Sequence, residues 1–84
     1  MARRVRVLYF AAVRDLVGTD EEDLDVPPSV DTVARLAEHL CQVHPALAGR
    51  LGAVRFARNE VFATSEEPIG DGDVIALIPP VAGG

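Results

Sequence analysis

The first part of the chain alternates between apolar and polar side chains, as a strand with one buried face does. Residues 4–10 are rich in strand-forming types, and one face of this stretch carries Val5, Val7 and Tyr9. The other face carries Arg4, Arg6, Leu8 and Phe10. Because the arginines mark this second face as solvent-exposed, we predict that Leu8 and Phe10 lie on an open face of the sheet.

Two short elements follow this strand. Residues 11–17 form a predicted helix or turn that is closed by Gly18. Residues 20–26 form a second predicted strand with acidic side chains at most positions. Charged edge strands resist incorrect pairing, so we interpret Glu21, Glu22 and Asp23 as a solvated sheet edge.

The helical spacing of apolar residues predicts one long helix that ends near Val43. Its apolar stripe consists of Val33, Leu36, Ala37, Leu40 and Cys41. Asp31 or Ser29 is the expected N-terminal cap, and His44-Pro45 ends the helix. Cys41 is most simply a core residue on this stripe.

The second half of the chain predicts a hairpin and a final strand. Residues 53–58 and 61–63 are strands joined by a turn at Asn59-Glu60, and residues 74–78 form a strand after the turn 70–73. The alternation is ambiguous at Arg58, which shares a face with Phe56, so a bulge or a strand end is expected there. The fold class is α+β: a four- to five-stranded mixed sheet with one main helix on one face.

Composition restricts the possible functions. The 84 residues suit one domain, which we place at residues 1–80, and the net charge of −5 argues against a nucleic-acid partner. All eight basic residues are arginine, and the single cysteine offers neither a disulfide nor a thiolate metal site. We find no membrane-spanning stretch or signal-peptide pattern, so we expect a cytoplasmic protein. The 49% apolar content suggests a surface for a protein partner.

Known catalytic arrangements are absent from the sequence. His39 and His44 are five residues apart, which is not a spacing that shares one helix face, so we expect no metal site. No motif pairs Ser29 or Ser65 with a histidine, and residues 70–73 match neither a phosphate-binding nor a calcium-binding loop. We therefore expect that the domain is not catalytic by itself.

The C-terminal sequence Ile78-Pro79-Pro80-Val81-Ala82-Gly83-Gly84 carries the most specific chemistry. The prolines should end the last strand near Ile78, since proline cannot donate to a sheet ladder. Residues 81–84 then form a thin, flexible tail that could enter a narrow channel and present a carboxylate. The residues alone leave open whether this tail is reactive or simply a frayed terminus.

Three stretches together carry a family resemblance: residues 7–18 (VLYFAAVRDLVG), the turn Asp71-Gly72-Asp73, and the ending IPPVAGG. With these, the chain resembles the MoaD family of sulfur carriers, the small subunits of molybdopterin synthase, along its whole length. This resemblance implies the ubiquitin-like β-grasp fold. It also implies that Gly84, preceded by Gly83, is adenylated with ATP by a ubiquitin-activating-type partner enzyme and becomes a thiocarboxylate. No cofactor would be stably bound to this chain.

The resemblance also implies the later steps and the partner. The loaded tail would enter the large synthase subunit, in an expected heterotetramer, and donate sulfur to cyclic pyranopterin monophosphate. Partner-binding positions carried over from the family are Phe10, Arg14, Phe62, Ile78, Pro79, Pro80 and Val81. The alternation itself leaves the faces of Phe62 and Ile78 undecided. One departure is Arg58, where the family commonly has valine, and this makes the contact more polar if Arg58 faces the partner.

Three other functions remain open at this point. The same tail chemistry serves sulfur carriers for thiamine or cysteine synthesis, and the first of these typically lack the block from Tyr9 to Gly18. A ubiquitin-like protein modifier would instead join Gly84 to an amine of a target. The last alternative is a β-grasp interaction module whose tail has no reaction.

Overall fold

The computed structural model describes residues 3–80, which form one five-stranded sheet and two helices. In chain order the elements are β1 (Arg3–Tyr9), α1 (Ala11–Val17), β2 (Glu21–Val26), α2 (Val33–Val43), a 3₁₀ turn (Pro45–Leu47), β3 (Arg55–Arg58), β4 (Val61–Ala63) and β5 (Val74–Ile78). The strands are arranged in the order β2-β1-β5-β3-β4. The predicted α+β class with one main helix is confirmed.

The first and last strands of the chain are neighbours at the centre of the sheet. β1 and β5 run parallel, with Tyr9 opposite Leu77, and all other strand pairs are antiparallel. Since parallel strands end at the same sheet edge, the chain leaves β1 and β5 side by side. Residues that follow these two strands are therefore brought together.

The hydrophobic core lies between the sheet and α2. The apolar stripe of α2 buries Val33, Leu36 and Leu40, as the helical spacing predicts. The sheet contributes the buried face of β1 and the inward residues of β5: Val5, Val7, Tyr9, Ile75 and Leu77. Cys41 packs against this cluster while half-buried. The sheet face opposite α2, which we call the open face, has no helix over it within residues 3–80.

The N-terminal cap of α2 differs from the prediction. Thr32 is the cap, and its side-chain oxygen accepts a hydrogen bond from the Arg35 N–H at 3.2 Å, so the choice of Asp31 or Ser29 is wrong. The adjoining loop explains this, because the Val33 N–H donates to the Glu67 carbonyl at 3.0 Å. Tertiary contacts therefore set the helix start among three residues that are all good caps.

The turns follow the predicted chemistry. Gly18 ends α1 with a φ of 91°, the left-handed conformation that glycine adopts without strain. Asn59 and Glu60 have φ values of 51° and 74°, so both central residues of the β3–β4 hairpin are left-handed, as a type I′ turn requires. The third predicted strand is shorter than expected, because β3 begins at Arg55 and not at residue 53.

β3 ends at Arg58, as one of the two predicted alternatives has it, and no bulge is needed because Arg58 has carboxylate partners beneath the sheet. Its Nε donates to Asp73 Oδ2 at 2.7 Å, and its Nη1 lies 3.4 Å from Glu67 Oε2. Asp73, 8% exposed, also accepts hydrogen bonds from the Gly70 N–H at 2.7 Å and the Asn59 amide at 3.1 Å. The 70–73 turn is therefore built around one buried carboxylate.

A second polar cluster joins the sheet edge to the end of α2. The Tyr9 hydroxyl and His44 Nε2 each lie 2.5 Å from Glu22 Oε2. The interpretation of Glu22 as a solvated edge residue is therefore wrong, because its half-buried carboxylate faces the core side. Burial, together with the hydrogen bond to Glu22, raises the pKa of Tyr9 well above its ordinary value.

Candidate docking site

The open face is divided into a charged half and an apolar half. In the charged half, Arg6 Nε lies 2.9 Å from Asp23 Oδ1, and Arg4 Nη1 lies 3.2 Å from Asp25 Oδ1. The hydrogen bond from Arg6 holds the pKa of Asp23 below its ordinary value. These cross-strand pairs neutralise the arginines and keep the β1–β2 edge hydrated.

The apolar half forms a shallow groove of about 570 Å³, which we call the docking groove. It is lined by Leu8, Phe10, Ala57, Asn59, Glu60, Phe62, Val74, Ala76 and Ile78. Ala57 and Ala76 are directly paired across β3 and β5, and because their side chains are small, they form the bottom of the groove. Phe10 and Phe62 are 46% and 63% exposed, an unusual exposure for large apolar side chains unless another molecule covers them.

The end of the docking groove coincides with the start of the C-terminal segment. The Phe10 N–H donates to the Leu77 carbonyl at 3.3 Å, which continues the parallel pairing one residue beyond β1. Ile78 is the last residue of β5, and it is followed by half-buried Pro79 and exposed Pro80. A partner that covers the groove therefore meets the residues that lead into the tail.

The structure brings together most of the apolar positions predicted to bind a partner. Phe10, Phe62 and Ile78 line one groove, which settles the faces that alternation left undecided for Phe62 and Ile78. Arg14 does not line the groove; it is exposed on α1, with its Nε 4.0 Å from Asp15 Oδ1. Pro79 and Pro80 follow Ile78 at the end of the groove, whereas the other predicted positions, Val81, Gly83 and Gly84, lie outside the described residues. The partner-binding role of all of these residues stays a prediction.

Arg58 does not contribute to the docking groove. It shares its face with Phe56, which packs against the core, and its guanidinium is paired with Asp73. The sequence departure at this position therefore leaves the groove apolar. Ala57 and Ala76, in contrast, were missed as groove residues. Their signal was the alternation in the last strand, where Val74, Ala76 and Ile78 share one face.

The groove presents an apolar surface of the kind that binds another molecule. Glu60 is its only ionisable lining residue among those that the structure describes. Within residues 3–80, no three His, Cys, Asp or Glu side chains lie close enough to hold a metal ion. In the same range, neither helix is long and apolar enough to cross a membrane.

A mixed sheet with one main helix on one face and an apolar groove on the other defines a ubiquitin-like β-grasp protein. The structure is similar to that of small archaeal modifier protein 1 of Haloferax volcanii, with a TM-score of 0.83, 28% identity and coverage of 94% of this chain and 99% of the other. The chain belongs to the ThiS family, whose sequence profile matches residues 7–84.

Individual relatives within this family show which of its members the chain is similar to. The molybdopterin synthase sulfur carrier subunit of Escherichia coli is 39% identical over 82 residues, covering 95% of this chain and 99% of the relative. The protein of the same name from Mycobacterium tuberculosis is 40% identical over 82 residues, covering 96% and 98%. The resemblance to molybdopterin synthase small subunits is therefore confirmed.

One solved neighbour is itself a complex of two different subunits. It contains subunits 1 and 2 of molybdopterin-converting factor from Helicobacter pylori, and the matching chain has a TM-score of 0.67 and 27% identity. The match covers 96% of this chain and 99% of the other. A protein of this fold thus forms a complex with a second, different subunit.

Proposed function

We propose that this chain is a sulfur carrier of molybdenum cofactor biosynthesis, acting as the small subunit of molybdopterin synthase. The observation that carries the proposal is the near full-length match to sulfur carrier subunits at 39–40% identity. The family profile extends to residue 84, so the Gly-Gly ending is included in the match. The docking groove ends at Ile78, just before this C-terminal sequence, and supplies a surface through which such a carrier can bind its partner.

The proposed chemistry takes place at the carboxylate of Gly84. A carboxylate is a poor electrophile, so an adenylating enzyme first joins it to the α-phosphate of ATP and releases pyrophosphate. Hydrosulfide, supplied by a sulfur donor, then attacks the carbonyl carbon, AMP leaves with the bonding electron pair, the sulfur loses its proton, and a thiocarboxylate remains. Gly83 and Gly84 suit this reaction because they lack side chains that would obstruct a narrow active site.

The loaded chain then delivers its sulfur inside the large subunit. The partner covers the docking groove, which is lined by Phe10, Phe62 and Ile78 among others. The terminal carboxylate of the chain is then delivered to the partner's active site. Binding in this way converts a bimolecular sulfur transfer to cyclic pyranopterin monophosphate into a local one. A dithiolene contains two sulfur atoms, so each product molecule consumes two loaded carriers, as an assembly of two small and two large subunits would provide.

The remaining features are compatible with this assignment. The catalytic side chains belong to the partners, and this chain contributes the reacting terminus and the docking surface. ATP is a substrate of the adenylating enzyme, and no cofactor is assigned to this chain. The single cysteine, which cannot form an internal disulfide, suits a reducing cytoplasm.

Mass spectrometry of the chain tests the proposal most directly. Incubation with the adenylating enzyme, ATP and a sulfur donor should increase its mass by about 16 Da, because one terminal oxygen is replaced by sulfur. A chain without Gly84 should keep the fold and the large-subunit complex but gain no mass and support no molybdopterin synthesis. Product formation by the truncated chain would exclude the carrier role.

A protein modifier is the second candidate, favoured by the structural similarity to the archaeal modifier protein. Both functions begin with adenylation of Gly84, but they differ in the acceptor. A modifier forms an amide with an amine of a target protein, whereas a sulfur carrier is released with a thiocarboxylate. Digestion of proteins isolated from the producing cells therefore distinguishes them, since only the modifier leaves a C-terminal remnant of this chain on target lysines.

A further inference from the structure

One arginine on the open face differs from the others in its surroundings. Arg4 and Arg6 point from β1 to the carboxylates of Asp23 and Asp25. Arg55, on β3, is exposed and makes no ion pair with any carboxylate in residues 3–80. Its positive charge is therefore available on the surface of a protein whose net charge is −5.

The Arg55 side chain is oriented by an aromatic ring. Its guanidinium carbon lies 5.8 Å from the centre of the Phe62 ring, a cation–π distance. Phe62 pairs with Ala57 across the β3–β4 hairpin, so it is the diagonal neighbour of Arg55 on the same sheet face. The guanidinium is thus positioned near the face of the ring, and within residues 3–80 no carboxylate pairs with its N–H groups.

Arg55 also lies where the docking groove meets the C-terminal segment. It pairs with Ile78 across β3 and β5, and Ile78 is the last strand residue before the prolines. Glu60 lies at the hairpin end of the same groove. The groove therefore has a negative lining residue at the hairpin end and a positive neighbour, Arg55, beside Ile78 at the other end.

We propose that Arg55 is a partner-recognition residue that binds a carboxylate of the large synthase subunit at the tail end of the docking groove. This inference rests on the proposed function. A guanidinium held near an aromatic ring, with its N–H groups available, suits paired hydrogen bonds to an aspartate or glutamate, which lysine cannot reproduce. The charge difference along the groove then selects the orientation in which the partner's active site faces the tail.

The test measures the affinity of the purified chain for the purified large subunit at about 50 and 300 mM salt. Arg55→Met keeps an apolar stem near Phe62 and removes the charge together with the N–H donors. We expect it to weaken binding roughly tenfold at low salt and to flatten the salt dependence, since a charge-assisted contact is lost. Arg55→Lys should restore part of the affinity, because it keeps the charge but loses the planar geometry.

Arg35→Ala is the matched control. Arg35 is an exposed arginine on α2, on the opposite side of the sheet, so its removal changes net charge equally but should leave the affinity unchanged. Thermal unfolding of each variant confirms that the domain is folded before binding is measured.

The outcomes distinguish failure of the proposed function from failure of the proposed role of Arg55. If the unsubstituted chain does not bind the large subunit, the proposed function fails and this inference fails with it. If the unsubstituted chain binds and Arg55→Met binds equally well, only the recognition role of Arg55 is overturned. Equal weakening by Arg35→Ala would likewise overturn it, because the effect would then be one of net charge.

Discussion

The backbone N–H of Phe10 donates to the carbonyl of Leu77 at 3.3 Å, so the sheet ladder continues one residue past the end of β1. This bond places a large exposed aromatic ring directly beside the strand that leads to the tail. The docking groove and the strand that leads to the C-terminal segment are therefore joined through β1 and β5, with no loop between them.

Substitution Phe10→Arg should weaken the complex with the large subunit while the monomer stays folded. Phe10 is 46% exposed and lines the docking groove, so the interaction it loses is burial against the partner. We expect a loss of about 2 kcal/mol, roughly 30-fold in affinity, if Phe10 is a central contact of the interface. Calorimetric titration with the large subunit measures the effect.

Val43→Arg is the control for this experiment. Val43 is 41% exposed, but it ends α2 on the other side of the sheet, so the complex should be unaffected. Unfolding of the Phe10→Arg monomer would mean that Phe10 is needed for the core, contrary to its position in the groove.

Asp73→Asn should destabilise the domain by about 2–3 kcal/mol. Asp73 is 8% exposed and accepts hydrogen bonds from Arg58, Asn59 and Gly70, whereas an asparagine amide would present N–H groups to some of these donors. Urea denaturation at pH 7 measures the loss. Asp25→Asn breaks an exposed pair with Arg4 and should cost no more than about 1 kcal/mol.

The same variant should change the response to acid. Burial alone would raise the pKa of Asp73, but the hydrogen bonds from Arg58, Gly70 and Asn59 outweigh it and hold the pKa below its ordinary value. The stabilisation is therefore present above the unfolded pKa, about 3.9, and is lost as the pH falls through the lower folded pKa. Denaturation between pH 6 and pH 2 should show a shallower acid decline for Asp73→Asn; an unchanged decline would contradict this account.

Glu22→Ala should cost more stability than Tyr9→Phe, although the two changes break the same hydrogen bond. The first leaves the hydroxyl of Tyr9, a residue that is 1% exposed, without its partner, at a cost of about 2–3 kcal/mol. The second removes the buried donor and leaves Glu22 with His44 and partial access to water, at a cost of about 1 kcal/mol.

Tyr9 also provides an optical check, because it is the only tyrosine in the chain. Burial, followed by the Glu22 hydrogen bond, raises the pKa of its phenol. Tyrosinate absorbance should therefore appear in alkali only together with unfolding. A titration of the folded protein near the ordinary tyrosine value, or equal costs for the two substitutions, would contradict the buried hydrogen bond.

Features that depend on local pattern were predictable from the sequence. The buried face of β1, the apolar stripe of α2 and the turn at Asn59-Glu60 each follow from spacing or backbone preference within a few residues. Their agreement with the structure reflects that local preferences and tertiary packing favour the same conformation.

Features that depend on distant residues were not predictable in this way. Alternation places Arg58 on the core-facing side of β3, where an arginine is unexpected. Its partner there is Asp73, which lies 15 residues further along the chain. β4 has only three residues, too few for alternation to assign Phe62 to a face. In the sequence Glu22 is one of several acids on an edge strand, and nothing nearby in the chain shows that His44, at the end of α2, contacts its carboxylate.

The central position of β5 has a mechanical consequence. β5 is hydrogen-bonded along both edges, to β1 and to β3, and the tail continues from its end. A pull on the tail acts along this strand, so the bonds on both edges bear the load together in shear and do not open one after another. An enzyme that draws the terminus into its active site can therefore apply tension without unravelling the domain.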